Sequence, residues 1–285
     1  MALILGLVLG CNASEPAPVV TPVVRETRWF RATLSLRGAH RAWERAGLDL
    51  DGRVTTADAS RSNTNVCLRA PKQPNSANTD GPQGIDNNFG QHVVQAAESL
   101  GLDLDAAVSG AAAIVVRLDD WPPVDADHGT GTLFLTTPDG LHVYEPGGLA
   151  LSRTGYRSFE VPDALGPVVV PLPLGDVTAK LELHRLRLVV GTSEVQIGAV
   201  LPRDSLFVPD RLNGRFCGVA VVPLRQAMEA LDLVMGGAQL QDPKVPCDAI
   251  SIGFSLPIVP TVEPIDVVPA IAIPPLVCDV IEPPV

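Results

Sequence analysis

Hydrophobic runs in this chain are short, and almost every one is cut off by Pro, Gly, Asp or Asn. Ala112 to Leu118 stops at Asp119-Asp120, Gly131 to Thr137 at Pro138-Asp139-Gly140, and Pro167 to Leu174 at Gly175-Asp176. Runs of this length fall short of an average helix but match ordinary strands. With 27 Pro and 25 Gly supplying the breaks, the pattern predicts many strands joined by tight turns. The expected fold is mainly β: an antiparallel sandwich or jelly-roll-like arrangement with one or two short helices. At 285 residues the chain can bury a substantial core in one domain or two.

Further strands are expected at Trp29 to Leu36, Leu141 to Glu145, Thr178 to Val190, Glu194 to Val200, Arg215 to Val222 and Ala249 to Leu256. In the long one, apolar and charged residues alternate through Ala179-Lys180-Leu181-Glu182-Leu183 and again at Leu186-Arg187-Leu188. The phase slips at His184-Arg185, which predicts a bulge there. Helical spacing occurs in two places. Val93, Val94, Ala97 and Leu100 mark a helix over Gln91 to Leu104, with Gly101 as a stop. Leu224, Ala227, Met228, Leu231 and Val234 mark a second, opened by Pro223. His40 to Leu48 reads as a short helical turn. Beyond 257, Pro recurs every few residues among Val and Ile, so 257–285 reads as an extended Pro-rich tail lying on the body.

Asp49 to Gly90 is almost entirely turn chemistry. It is too long for an ordinary loop, so a disulfide at Cys67, a metal ion or both should hold it. Asp49 and Asp51 sit in one short acidic turn, and Asp80, Asp86, Asn87 and Asn88 in another. Calcium takes about six to eight oxygens from carboxylates, amides and carbonyls, and these turns offer such ligands. The spacing is not that of an EF-hand. The rival reading is that the same oxygens make Asx-turns and an N-cap for the helix at Gln91.

A second cluster is Asp119, Asp120, Asp125, Asp127 and His128, with Trp121 among them. Such a loop between strands can bind a metal or move protons, or can simply be a solvated acidic loop. The other histidines are scattered. No nucleophile elbow, zinc helix, phosphate loop or dinucleotide fingerprint occurs. The net charge of −11, with no basic stripe, excludes a phosphate-backbone binder and suits divalent cations.

The N-terminus carries an address. Leu3 to Leu9 is apolar, and Val8-Leu9-Gly10-Cys11 resembles the lipobox of bacterial lipoproteins. No Lys or Arg precedes Cys11, where a secretory signal ordinarily has a basic n-region. The resemblance implies cleavage before Cys11 and lipidation of its thiol. Residues 1–10 are then a signal peptide, 11–27 a flexible tether, and 28–256 a β-rich domain ahead of the tail. Asn12 after Cys11 implies, by resemblance to Gram-negative sorting, the outer membrane. With Cys11 lipidated, Cys67, Cys217, Cys247 and Cys278 remain, enough for two disulfides in an oxidising compartment. Three connectivities are open, as are free thiols, and sequence alone does not choose. The pairing carried forward is Cys67 with Cys247 and Cys217 with Cys278.

Asp80-Gly81, Gly84-Ile85-Asp86-Asn87 and Phe89-Gly90, with Asp49-Leu50-Asp51-Gly52 upstream, resemble a pattern in a group of secreted bacterial lipoproteins. Cys67 and Cys247-Asp248-Ala249-Ile250-Ser251-Ile252-Gly253-Phe254 also look similar to that group. The resemblance implies an extracytoplasmic lipoprotein and brings no activity with it. The expected protein is a non-catalytic binding or structural module, lipid-anchored in the cell envelope and facing the periplasm or the cell surface. Its expected partner is a glycan or an envelope protein, with calcium as the candidate cofactor and no nucleic acid. The alternative is an extracytoplasmic hydrolase working through the Asp119 to His128 loop.

Overall fold

The computed structural model describes residues 26–36, 43–56, 67–68, 79–100, 113–121, 129–136, 142–143, 148–174, 177–203, 215–216, 219–220, 226–236, 239–262 and 268–269. The strands are β1 (Glu26–Thr33), β2 (Ala113–Trp121), β3 (Thr130–Thr136), β4 (His142–Val143), β5 (Leu149–Gly155), β6 (Ser158–Glu160) and β7 (Val168–Leu174). After them come β8 (Val177–Val190), β9 (Glu194–Pro202), β10 (Arg215–Phe216), β11 (Val219–Ala220), β12 (Ala249–Pro257), β13 (Val259–Pro260) and β14 (Val268–Pro269). The main sheet has 10 strands in the order β12-β9-β8-β6-β5-β3-β2-β1-β13, with β7 added on β8. Every pairing in it is antiparallel. The protein is thus mainly β, as the short apolar runs require.

The sheet curls on itself. β12 passes through Ile258 straight into β13, which pairs with β1 at the far end of the strand order. One core fills the inside of the curl. Phe30 of β1, Ile114 of β2, Leu133 of β3, Leu188 of β8, Ile197 of β9 and Phe254 of β12 all belong to it. Each such side chain, fully withdrawn from water, stabilises the fold by about 1.5–3 kcal/mol. The inward face follows the two-residue period: Phe30 and Ala32 point in, while Trp29 lies outside against Phe134, ring centres 5.5 Å apart.

The phase slip in β8 is a bulge. The register with β9 shifts between His184 and Arg187, and Arg185 has φ 50. Ahead of the bulge β8 pairs with β7, and behind it β8 lies between β6 and β9. β7 carries Pro171 and Pro173 two residues apart and, among the described residues, pairs on one side only, the edge position that Pro tolerates.

Several expected elements differ in detail. The helix begins before Gln91, as a π-helical turn, Phe89–Val94, that runs into α1, Gln95–Ser99; Gly101 to Leu104 lie outside the described residues. Of the expected helix from Leu224 to Val234, the described residues are helical only at 226–228, and Leu233 then bridges to Ala249. Backbone pairing to β12 outweighs helical spacing there. Within Arg215 to Val222, β10 pairs antiparallel with β11, so the range is not one strand. The Pro-rich tail begins as edge strands: β13 pairs with β1, and β14 lies parallel to β4. Among the described residues no helix is long and apolar enough to cross a membrane.

The outer face of β9 and β12 is built to receive the turn-rich segment. Its residues are small: Ala249, Ser251 and Gly253 alternate with the core residues Ile250, Ile252 and Phe254, and Gly253 stands opposite Gly198. Residues 46–50 lie across this pair of glycines. A Cβ on Gly253 would sit 2.4 Å from the Ala46 carbonyl oxygen, and one on Gly198 would sit 2.8 Å from Leu50 Cδ2. Gly253→Ala is expected to lift this segment and destabilise the protein by about 1–3 kcal/mol, as overpacking does. A shift in the urea midpoint at unchanged slope checks it, and an unshifted midpoint would mean the segment is not bedded there.

Candidate metal centre

Two turns meet over this bed. Leu48 and Asp86 form an antiparallel bridge, and the Asp86 amide donates to the Leu48 carbonyl at 3.0 Å. Asp86 Oδ2 in return accepts from the Leu50 amide at 2.6 Å. The Asp80 amide donates to the Thr55 carbonyl at 3.0 Å, and its carboxylate accepts from the Thr55 amide. The 43–56 and 79–90 segments are therefore laced by backbone bonds on both sides of the acidic residues.

This lacing brings the carboxylates together. One oxygen each from Asp49, Asp51 and Asp86 lie within 4.8 Å of one another. Oxygens sharing one calcium at about 2.3–2.6 Å are separated by at most about 5 Å, so the three fit a single ion. Asp80 adjoins them, near enough for its charge to act on Asp51 and Asp86. Asp49 Oδ1 also accepts from the Gly52 amide at 2.6 Å, and Asp51 Oδ1 from the Arg53 amide at 2.8 Å. The Asx-turn reading thus holds for these two oxygens; each carboxylate has a second oxygen.

The electrostatics of the cluster are unfavourable as it stands. Burial pushes Asp51 up to about 7, and the neighbouring Asp80 and Asp49 charges push the same way, against the pull of Arg53. Asp80 rises to about 6, again mainly through burial. Asp86, only 2% exposed, is raised well above the ordinary carboxylate range by burial and by Asp51, Asp232 and Asp80. Among the described residues no Lys or Arg forms an ion pair with any of the four. Like charges this close need protons or a cation between them.

Asn87 has a different task from the one expected of a ligand. Its Oδ1 accepts from the Gly90 and Gly253 amides, both at 3.0 Å, and its Nδ2 donates to the Ala46 carbonyl at 2.9 Å and the Gly253 carbonyl at 3.2 Å. One carboxamide clamps the first turn, the helix start and β12 together. Asn87→Ala strands several buried backbone groups, and we expect a loss of at least about 3 kcal/mol, from about 1–3 kcal/mol per orphaned group. Chemical denaturation reads it; a loss under 1 kcal/mol by that same scale would mean water replaces the clamp. Asn88 is buried too, its amide donating to Ser251 Oγ at 2.9 Å, and its carboxamide atoms have no partner among the described residues.

Asp232 and Ser251 were not visible as site residues in the sequence. Ser251 Oγ and its amide donate to the Asp232 carboxylate at 2.6 and 2.8 Å. Burial pushes Asp232 up to about 8, and the Asp80 and Asp51 charges add to it, which places a fifth carboxyl near the cluster. Its signal was a lone carboxylate in the apolar run Ala230-Leu231-Asp232-Leu233-Val234.

Cys67 and Cys247 form a disulfide. It is flanked by two backbone bonds, Leu68 amide to Val245 carbonyl at 2.7 Å and Cys247 amide to Leu68 carbonyl at 3.0 Å. Cys11, Cys217 and Cys278 lie outside the described residues. Of the second acidic cluster, Asp125, Asp127 and His128 also lie outside them. Asp119 is engaged by Arg117 at 3.3 Å, Thr27 at 3.3 Å and Thr130 at 3.1 Å, and Asp120 is exposed with φ 56. Comparison with protein-family profiles, characterised proteins and solved structures finds no match to this chain.

Proposed function

We propose that this protein is a non-catalytic binding or structural module of the cell envelope, anchored through a lipid on Cys11, whose turn-rich face is locked by a calcium ion. The convergence of Asp49, Asp51 and Asp86 oxygens at single-ion spacing carries the calcium reading. Asp80 stands next to them as a fourth carboxylate. All four are hard oxygen donors, which suit calcium over softer metals. The Cys67–Cys247 disulfide supports an oxidising compartment, and the Val8-Leu9-Gly10-Cys11 motif supports the anchor. The engagement of Asp119 by Arg117 and two threonines supports a structural use of that carboxylate. The partner we favour is a glycan.

Calorimetric titration of the metal-free protein with calcium tests the ion. A single site that magnesium fills far less well is expected, because magnesium demands tighter octahedral geometry. Heat indistinguishable from dilution would leave the carboxylates as turn acceptors only. The anchor is tested separately. Cys11→Ala should move the protein from the membrane fraction to the soluble one; unchanged detergent partitioning would remove the anchor from the reading.

A further inference from the structure

The β5–β6 connection is a two-residue turn, Tyr156-Arg157, closed by Gly155 opposite Ser158. Arg157 has φ 62, a backbone region that Gly or Asn occupies with less strain. The side chain held there is therefore of interest. Its guanidinium carbon is 5.5 Å from the centre of the Trp121 ring and 5.2 Å from that of Tyr156. Arg28 brings a second guanidinium to Trp121, at 6.0 Å. Trp121 is 6% exposed and belongs to the core, whereas Tyr156 is 59% exposed. Two cationic groups and an exposed ring thus stand on a rigid aromatic base at one end of the curled sheet.

Among the described residues neither Arg28 nor Arg157 forms an ion pair, although Glu26 and Asp120 are exposed at the same strand ends. Among the described residues, buried Arg157 Nε has no hydrogen-bond acceptor. Stacking on a ring fixes the plane of a guanidinium and leaves its N–H edge free for a planar acceptor, above all a carboxylate. The exposed Tyr156 ring offers a flat apolar surface beside that edge. The turn does not invite a peptide backbone: the Arg157 carbonyl already accepts from the Val190 amide at 2.9 Å.

We infer that Tyr156, Arg157 and Arg28 form a recognition point for a carboxylate-bearing sugar, a uronate unit of an acidic polysaccharide. The inference rests on the binding-module reading and gives its partner a chemical class. The carboxylate meets the guanidinium edges, and the sugar ring packs on Tyr156.

The test uses the lipid-free mature chain with its disulfide intact, at fixed free calcium, titrated with an oligogalacturonate. A neutral galactan oligosaccharide and polyglutamate serve as comparisons. Saturable binding of the oligogalacturonate, with none of the galactan, is expected. Arg157→Gly should weaken it at least tenfold while the melting temperature stays level or rises, because the strained turn relaxes. Arg157→Lys, which keeps the charge but loses the planar fork, should also weaken it, and so should Tyr156→Ala. Three results overturn the inference. One is no saturable binding of the oligogalacturonate. Another is polyglutamate binding as tightly, which would make the partner an acidic polypeptide. The third is unchanged affinity in Arg157→Gly with a lowered melting temperature, which would make the stack purely structural. None of these touches the calcium titration, so that reading stands or falls on its own.

Discussion

Adding calcium to the metal-free protein is expected to raise its melting temperature, and Asp86→Asn to remove that rise. At a hundredfold excess over Kd the ion contributes about 2.7 kcal/mol, which corresponds to roughly 5–11 °C for a domain of this size. The variant has a second signature. Asp86 is 2% exposed and surrounded by Asp51, Asp80 and Asp232, so its charge is costly when no cation is present. Neutral Asn keeps an oxygen that can accept from the Leu50 amide. Asp86→Asn should therefore be at least as stable as the parent in chelator and less stable in calcium. A carboxylate serving only as a turn acceptor would show no such crossover, and equal melting curves with and without calcium for the parent would remove the ion.

The same charges set the pH dependence. Unfolded Asp titrates near 3.9, whereas the folded chain holds Asp80 at about 6, Asp51 at about 7 and Asp232 at about 8. The folded state binds more protons than the unfolded one across that window. Its contribution is full below about pH 4 and is lost as pH rises through the raised values. Metal-free protein should lose stability from about pH 4 to pH 8, and calcium, replacing the protons, should help most at the alkaline end. Binding must then release protons, visible as a heat that varies with the ionisation enthalpy of the buffer. A calcium response of equal size at the two ends of that window would argue against carboxylates as the ligands.

How much of this could be read beforehand differs from element to element. The β-rich class followed from run length, and the β8 bulge from a two-residue phase slip, because both are local consequences of side-chain period. β5 and β6 were missed: only Leu149 and Leu151 alternate inward before Arg153, Gly155 and the Tyr156-Arg157 turn interrupt the pattern. The helix expected at Leu224 to Val234 had the spacing, but Leu233 gains a backbone partner on Ala249 that no local pattern encodes. At the candidate site, Asp49, Asp51, Asp80 and Asp86 were legible as oxygen-rich turns. The division of labour between Asp86 and Asn87 was not. Both are buried polar residues after Ile85, and only the packing against Gly253 and Ala46 shows which one is used up by the backbone. Asp232 was hidden for the same reason, its partner Ser251 being 19 residues away.

Removing the disulfide is the other change expected to have a large effect. Cys67 and Cys247 are 180 residues apart, and closing a loop of that size is worth about 5 kcal/mol in the chain-entropy model, with observed losses of about 2–5 kcal/mol. Position adds a second consequence. Cys67 Sγ lies 3.1 Å from the carbonyl oxygen of Asp232, whose carboxyl is pushed up by burial and further by the Asp80 and Asp51 charges. Cys67 also ties the turn-rich segment to the residues just ahead of β12. A Cys67→Ala/Cys247→Ala variant should therefore unfold at lower urea and also bind calcium more weakly. With the covalent tie gone, the ion must meet more of the cost of holding the two acidic turns together. Reciprocally, calcium should shift the dithiol–disulfide equilibrium of the parent protein towards the disulfide. Lost stability with unchanged calcium affinity would separate the two devices, and each would then act on its own part of the segment.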